Sequence, residues 1–241
     1  MSFIMNIKKI IKKLLPDSLY FLLKKRQISK NKYFGLNEID KKISKYLNYD
    51  NGYYIELGAN DGVSQSNTLF FELNRNWSGI LIEPIKLKFN QCKKIRSSKN
   101  FFFNAACVSS DYKNDEIELI YSNLRTITND DKNQIKAENH LNNDDLNFYQ
   151  NHKKISVKAR TLNSILLEAN APNKIDFLSI DTEGYEIEIL KGLDFENFLF
   201  DYMLIETKKF EILDKFLNQR KYKFLAKLSN HDYLYKRNGV N

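Results

Sequence analysis

Apolar runs of strand length recur along the chain, with helix-compatible stretches between them. Tyr53–Leu57 is one such run and ends at Gly58. Gly79–Ile82 is closed by Glu83-Pro84, and Phe101–Val108, Ile175–Ile180 and Met203–Ile205 follow. Between them, residues 64–75 carry Leu69, Phe70 and Leu73 at helical spacing, and residues 86–97 carry Leu87, Phe89, Cys92 and Ile95. Buried strands separated by helices need crossover connections. The pattern therefore predicts an α/β protein with a doubly wound, mostly parallel sheet covered on both faces.

Two regions break the alternation. Tyr222–Lys227 and Tyr233–Lys236, joined by Leu228–Asp232, read as a hairpin closing one sheet edge. Residues 109–160 form a polar insertion: Glu116–Tyr121 and Ser156–Ala159 are candidate extra strands, but residues 122–153 are rich in Asn and Asp. A long polar insertion in an α/β domain suits a substrate-facing lid or a surface loop.

The start of the chain differs again. Ile4, Ile7, Ile11, Leu14 and Leu15 share one helical face, and Lys8, Lys9, Lys12 and Lys13 share the other. After Pro16 comes a second unit, Leu19–Leu23 followed by Lys24-Lys25-Arg26. Either its apolar face docks on the domain with the lysines in water, or residues 1–26 touch an anionic membrane surface. Lysines interrupting the apolar stretch argue against a secretory signal peptide.

Charge sharpens this division. The net charge is +8, and residues 1–50 hold twelve Lys/Arg against four Asp/Glu, so the whole excess lies there. We divide the chain into a basic helical segment, 1–50, and a neutral domain, 51–241. A basic protein invites a nucleic-acid reading, but a neutral main domain does not favour that partner. The two cysteines, Cys92 and Cys107, suffice neither for a disulfide framework nor for a four-thiolate zinc site. No apolar run reaches membrane-spanning length. The cytoplasm is the expected location, with the inner membrane face as the alternative for the basic segment. The aromatic residues Phe70, Phe71 and Phe101–Phe103 are expected in the core.

The chemistry concentrates after the first strand, in Ile55-Glu56-Leu57-Gly58-Ala59-Asn60-Asp61-Gly62. A strand, a glycine turn and a helix make the usual setting for a nucleotide-type cofactor. Gly58 and Gly62 permit a tight turn and close ligand approach. Glu83, at the end of the next strand, can accept both hydroxyls of an adenosine ribose. Dinucleotide sites bring glycine amides against a pyrophosphate, whereas this turn carries Glu56 and Asp61, which suit a cation better than phosphates. S-adenosylmethionine, with a sulfonium, an ammonium and no phosphate, is favoured over NAD.

These pieces resemble the FkbM-type S-adenosylmethionine-dependent methyltransferases over roughly residues 52–207. The resemblance rests on YIELGANDG (54–62), GILIEP (79–84), NAACV (104–108), ARTLNSIL (159–166) and, most specifically, IDFLSIDTEGYEIEILKG (175–192). Ser179 departs from the lysine often found there, and Asn163 from an aspartate. The resemblance implies a Rossmann-like sheet of order 3-2-1-4-5-7-6 and O-methylation of a small molecule or sugar, as in surface-glycan (capsule or lipopolysaccharide) modification.

Methyl transfer needs an acceptor oxygen aligned with the methyl carbon and a group to take its proton. Asp181 and Glu183, just past the fourth strand, are the candidate catalytic residues, with Glu206 ending the next strand. Glu183 is alternatively a helix cap near Gly184. Glu56, Gly58, Asn60, Asp61, Gly62 and Glu83 are the candidate cofactor residues, with Asn104 and Ala105 as adenine neighbours. The same carboxylates could hold Mg²⁺; no metal ligand set is assigned. His140 and His152 are alternative bases within the insertion. A nucleic-acid methyltransferase using the basic arm and a non-catalytic module that keeps the fold are the competing readings.

Overall fold

The computed structural model describes residues 17–122, 125–128, 153–182 and 184–239. In chain order these form α1 (Asp17–Lys30), a short 3₁₀ turn (Leu36–Glu38), α2 (Ile39–Ile43), β1 (Tyr53–Leu57), α3 (Leu69–Arg75), β2 (Ser78–Ile82) and α4 (Lys86–Ile95). Next come β3 (Phe101–Phe103), β4 (Ala106–Val108), β5 (Glu116–Ser122), β6 (Arg125–Thr128), β7 (Lys153–Thr161) and α5 (Leu162–Glu168). The chain continues with β8 (Lys174–Ile180), α6 (Glu186–Lys191), β9 (Leu199–Glu206), α7 (Phe210–Asn218), β10 (Tyr222–Lys227) and β11 (Asp232–Arg237).

The large sheet runs β3-β2-β1-β8-β9-β11-β10. Its first five strands pair in parallel, and the β10–β11 hairpin is added antiparallel along β9. The doubly wound α/β class predicted from the pattern is the observed one. In detail the strand count differs, because four strands intervene between β3 and β8 and build a second sheet, β4-β7-β5-β6. The candidate strands at 116–121 and 156–159 thus belong to a sheet of their own, and the expected third strand, 101–108, is divided between the two sheets. Asn104 stands at the division, its side-chain amide donating to the carbonyls of Glu83 and Pro84 (2.8 Å each).

Strand alternation explains the two layers around the large sheet. Ile55, Leu57, Ile80, Ile82, Leu178 and Ile180 face a core completed by α5, α6 and Ile117 and Leu119 of the second sheet. The intervening residues Tyr54, Leu81, Phe177 and Leu204 face the other way, onto Phe71 and Trp77. That second core also takes in Ile39, Ile43 and Leu47. Residues 1–50 read from the sequence as a basic segment apart from the domain; Ile39, Ile43 and Leu47 of that segment pack on this face of the sheet. Phe70 and Phe71 are core residues as expected, whereas Phe101 is 47% exposed because β3 is an edge strand.

Of the two readings of the N-terminal unit, docking of its apolar face with the lysines in water does not describe α1: Leu19, Leu22 and Leu23 are exposed and Lys24 is buried, while Lys25, Arg26 and Lys30 are exposed. Asp61 supplies the reason, as the site geometry shows. Among the described residues, no helix is long and apolar enough to cross a membrane.

Candidate active site

The strand order reverses direction between β1 and β8, the place where open α/β sheets bind ligands beyond their carboxyl ends. β1 ends at Leu57 and the chain turns at once. The amides of Gly58 and Ala59 both donate to the Ile82 carbonyl (3.0 and 3.1 Å), which ties the turn to β2. Gly58 has φ +79°, and a Cβ there would lie 2.2 Å from the Asp181 carbonyl oxygen. Asp181 in turn donates its amide to the Leu57 carbonyl (3.3 Å). Glycine is required both for the left-handed backbone and for this close approach. Gly62, at φ +81°, leaves room for Cys92 and Arg96, its missing Cβ falling 2.9 Å from Arg96 Cγ.

Glu83 lies where the motif predicts, at the end of β2 and beside the loop. Its Oε2 accepts the Asn60 amide and its Oε1 the Ile85 amide, each at 2.8 Å. Burial pushes this carboxyl up to about 7, against the opposing effect of the two amides and Lys88. Each oxygen retains a lone pair for a further donor. The neighbouring Asn60 Oδ1 is buried without a hydrogen-bond partner, a second open acceptor in the same loop. The structure therefore brings together Gly58, Asn60, Glu83 and Asp181 around one crevice.

Glu56 and Asp61 behave differently from the sequence reading. Both were placed beside a cation, and both meet cations of this chain itself. Glu56 accepts from Ser66 Oγ (3.0 Å), the Asn67 amide (2.8 Å) and Thr68 Oγ1 (2.6 Å), and faces Arg96 Nη1 at 3.3 Å. Asp61 accepts from the Val63 and Ser64 amides (3.0 and 2.7 Å), from the Tyr20 hydroxyl (2.9 Å), and pairs with Lys24 (2.8 Å). A buried carboxylate must be neutralised or fully hydrogen-bonded. Burial opposes ionisation of Asp61, but Lys24 and the two amides outweigh it and hold the carboxyl well below its ordinary value. These two acids shape the loop from within.

Asn104 also acts on backbone, holding the Glu83-Pro84 carbonyls, and Ala105 is buried in the core. Ser179, opposite Glu56 in the β1–β8 register, accepts from the Asn67 side chain (3.1 Å). Beyond β8, the Glu186 carboxylate accepts the Gly184 amide (2.6 Å) and the Thr182 hydroxyl (3.3 Å), so it shapes the turn that the sequence assigned to Glu183. Glu183, His140 and His152 lie outside the described residues. The β8–β9 and β9–β11 registers bring Asp181, Glu206 and Asp232 to one edge on adjacent strands. Among the described residues, no cluster of three or more His, Cys, Asp or Glu is placed to hold a metal ion, so Mg²⁺ gains no described site.

Sequence reasoning missed Arg96. Its guanidinium is fully buried and binds Glu72 (2.8 Å), the Tyr54 hydroxyl (2.7 Å), Thr68 (2.9 Å) and the Gly62 carbonyl (3.2 Å), besides Glu56. Nothing in helical periodicity distinguishes it from the surrounding solvated lysines. A cavity of about 480 Å³, lined by Asn163, Asn170, Asn173, Asp194 and Phe198 among others, is built from residues that precede β8 and β9, away from this crevice.

Comparison with known proteins yields a family match, described as the methyltransferase FkbM domain, over residues 56–235. Among solved structures, a crystal structure of methyltransferase FkbM from Methylobacillus flagellatus KT is similar at 14% sequence identity and a TM-score of 0.45. The alignment covers 78% of this chain and 44% of that one, so this chain spans less than half the length of the relative. No curated protein matches.

Proposed function

Since the chain belongs to the FkbM methyltransferase family, we propose that it transfers a methyl group from S-adenosylmethionine to a hydroxyl of a small molecule or sugar unit, in surface-glycan modification. The observation that carries this reading is Glu83, a buried carboxylate anchored by the Asn60 and Ile85 amides beside the glycine turn at the switch point.

The residues present fit that cofactor. The Gly58 turn lets the end of β1 lie directly against the Asp181 backbone, Glu83 has lone pairs for two ribose hydroxyls, and Asn60 Oδ1 is an unused acceptor. Bound there, S-adenosylmethionine supplies a methyl carbon activated by its sulfonium. Asp181, half-buried at the end of β8, orients the acceptor hydroxyl and takes its proton, with Glu183 in a supporting role. Glu206 on the adjacent strand end extends the acidic rim that receives the acceptor. Asp61, Glu56 and Arg96 hold the loop in place, a contribution of positioning.

Calorimetric titration tests this reading. Wild-type protein should bind S-adenosylhomocysteine and not NAD, and Glu83→Ala should weaken that binding by at least about tenfold. Binding of NAD, or no binding to folded protein, would overturn the cofactor assignment. Turnover on a panel of sugar nucleotides and glycans then tests the acceptor class. Cofactor binding without turnover on any hydroxyl acceptor would favour a binding module instead.

A further inference from the structure

Helix α1 buries a cation and exposes leucines. Its inward side consists of Tyr20, Lys24, Gln27 and Ile28, with the Lys24 ammonium on Asp61 (2.8 Å) and on Ser64 Oγ (2.6 Å). Its outward side carries Leu19, Leu22 and Leu23, which are 40%, 62% and 47% exposed. Lys25, Arg26 and Lys30 are exposed as well, and they follow the leucines along the axis, so an apolar end gives way to a basic end. Lys94 of α4 adds a further ammonium nearby, 5.1 Å from the Phe21 ring centre.

This arrangement has a specific complement. A nucleic-acid backbone is met by cations and has no use for three exposed leucines. An anionic bilayer offers an acyl boundary to the leucines and charged headgroups to the cations behind them. The charge of the whole chain agrees, because the first fifty residues hold the entire excess of +8. We infer that the outward face of α1, Leu19, Leu22 and Leu23 with Lys25, Arg26 and Lys30, docks on an anionic lipid surface. The inward face of the same helix grips Asp61 in the glycine loop, so docking sets the cofactor crevice beside that surface.

Vesicle cosedimentation tests the inference on the 241-residue chain. Vesicles of phosphatidylcholine alone are compared with vesicles containing phosphatidylglycerol, for wild type, Leu22→Glu/Leu23→Glu and Lys25→Glu/Arg26→Glu. All four substituted side chains are exposed, so the unfolding midpoint should be unchanged. Wild type should partition onto the anionic vesicles in a salt-sensitive manner, and each double variant should lose at least about tenfold. Equal binding to neutral vesicles overturns the inference, as does full binding by the leucine variant, which would move the contact to another part of the chain. A doubled mass in solution that the leucine variant returns to a single copy overturns it too, by showing that a second molecule covers the face. Salt-sensitive RNA binding with none to vesicles would do the same.

Discussion

Glu83 couples the candidate site to pH. Its carboxyl, pushed up to about 7 by burial, keeps a proton in the folded state that the unfolded chain has already released. Between the ordinary carboxylate value and 7 the folded state binds more protons, so this group makes stability fall as pH rises through that window. The effect is on the order of 2–4 kcal/mol. Urea unfolding at about pH 5 and about pH 8 should show a smaller loss in Glu83→Gln than in wild type. An equal loss in both would mean that the carboxyl titrates normally. Ligand donors reaching Glu83 oppose the same penalty, because charge-assisted hydrogen bonds favour the ionised form. Gly58 and Glu83 were legible from the sequence because a turn glycine and a strand-end acid are local features. The neutralisation of Glu56 and Asp61 was not, because a carboxylate carries no mark of whether its cation will be a ligand or a distant residue.

Among the elements, α4 ties the glycine loop to α3. Arg96, just past its end, sits between Glu56 of β1 and Glu72 of α3. Burial alone would raise the Glu72 carboxyl, yet Arg96 and the Ser97 amide hold it below its ordinary value. Removing the cation leaves two buried carboxylates facing each other. Arg96→Met should therefore cost about 3–5 kcal/mol, read as a lower urea midpoint at unchanged slope. Arg96→Lys should recover only part of this, since an ammonium cannot reproduce the forked contacts to Tyr54, Thr68 and Gly62. A loss below about 1 kcal/mol for the methionine variant would show that the network is not holding the loop. The ARTLNSIL stretch is clearer at this scale than as a motif. Thr161 ends β7 and caps α5 by accepting the Ser164 amide at 3.1 Å, so the threonine makes a strand-to-helix joint.

At the scale of the molecule, the Lys24–Asp61 pair joins the N-terminal helix to the glycine loop, with both side chains almost fully buried. Asp61 is held below its ordinary value, so its contribution is present above that value and is lost progressively as pH falls from there toward the lowered folded value. Lys24→Met should destabilise the protein by about 1–3 kcal/mol at neutral pH. In urea titrations the gap to wild type should narrow below about pH 4; a constant gap would mean that packing, not charge, anchors the helix. The same pair explains the orientation of α1. The apolar pattern of Leu19–Leu23 points to inward leucines, but one buried carboxylate in need of a cation turned Lys24 inward instead. Periodicity and turn residues were enough to read the α/β class, the terminal hairpin and the glycine turn, because these show in the pattern of neighbouring residues, and the resemblance of the motif stretches carried the family. Pairings such as Arg96 with Glu56 and Lys24 with Asp61, the second sheet, and the packing of residues 34–47 on the core came only with the folded chain. Each depends on groups far apart in sequence, where burial decides which charge must be satisfied and what lies within reach to satisfy it.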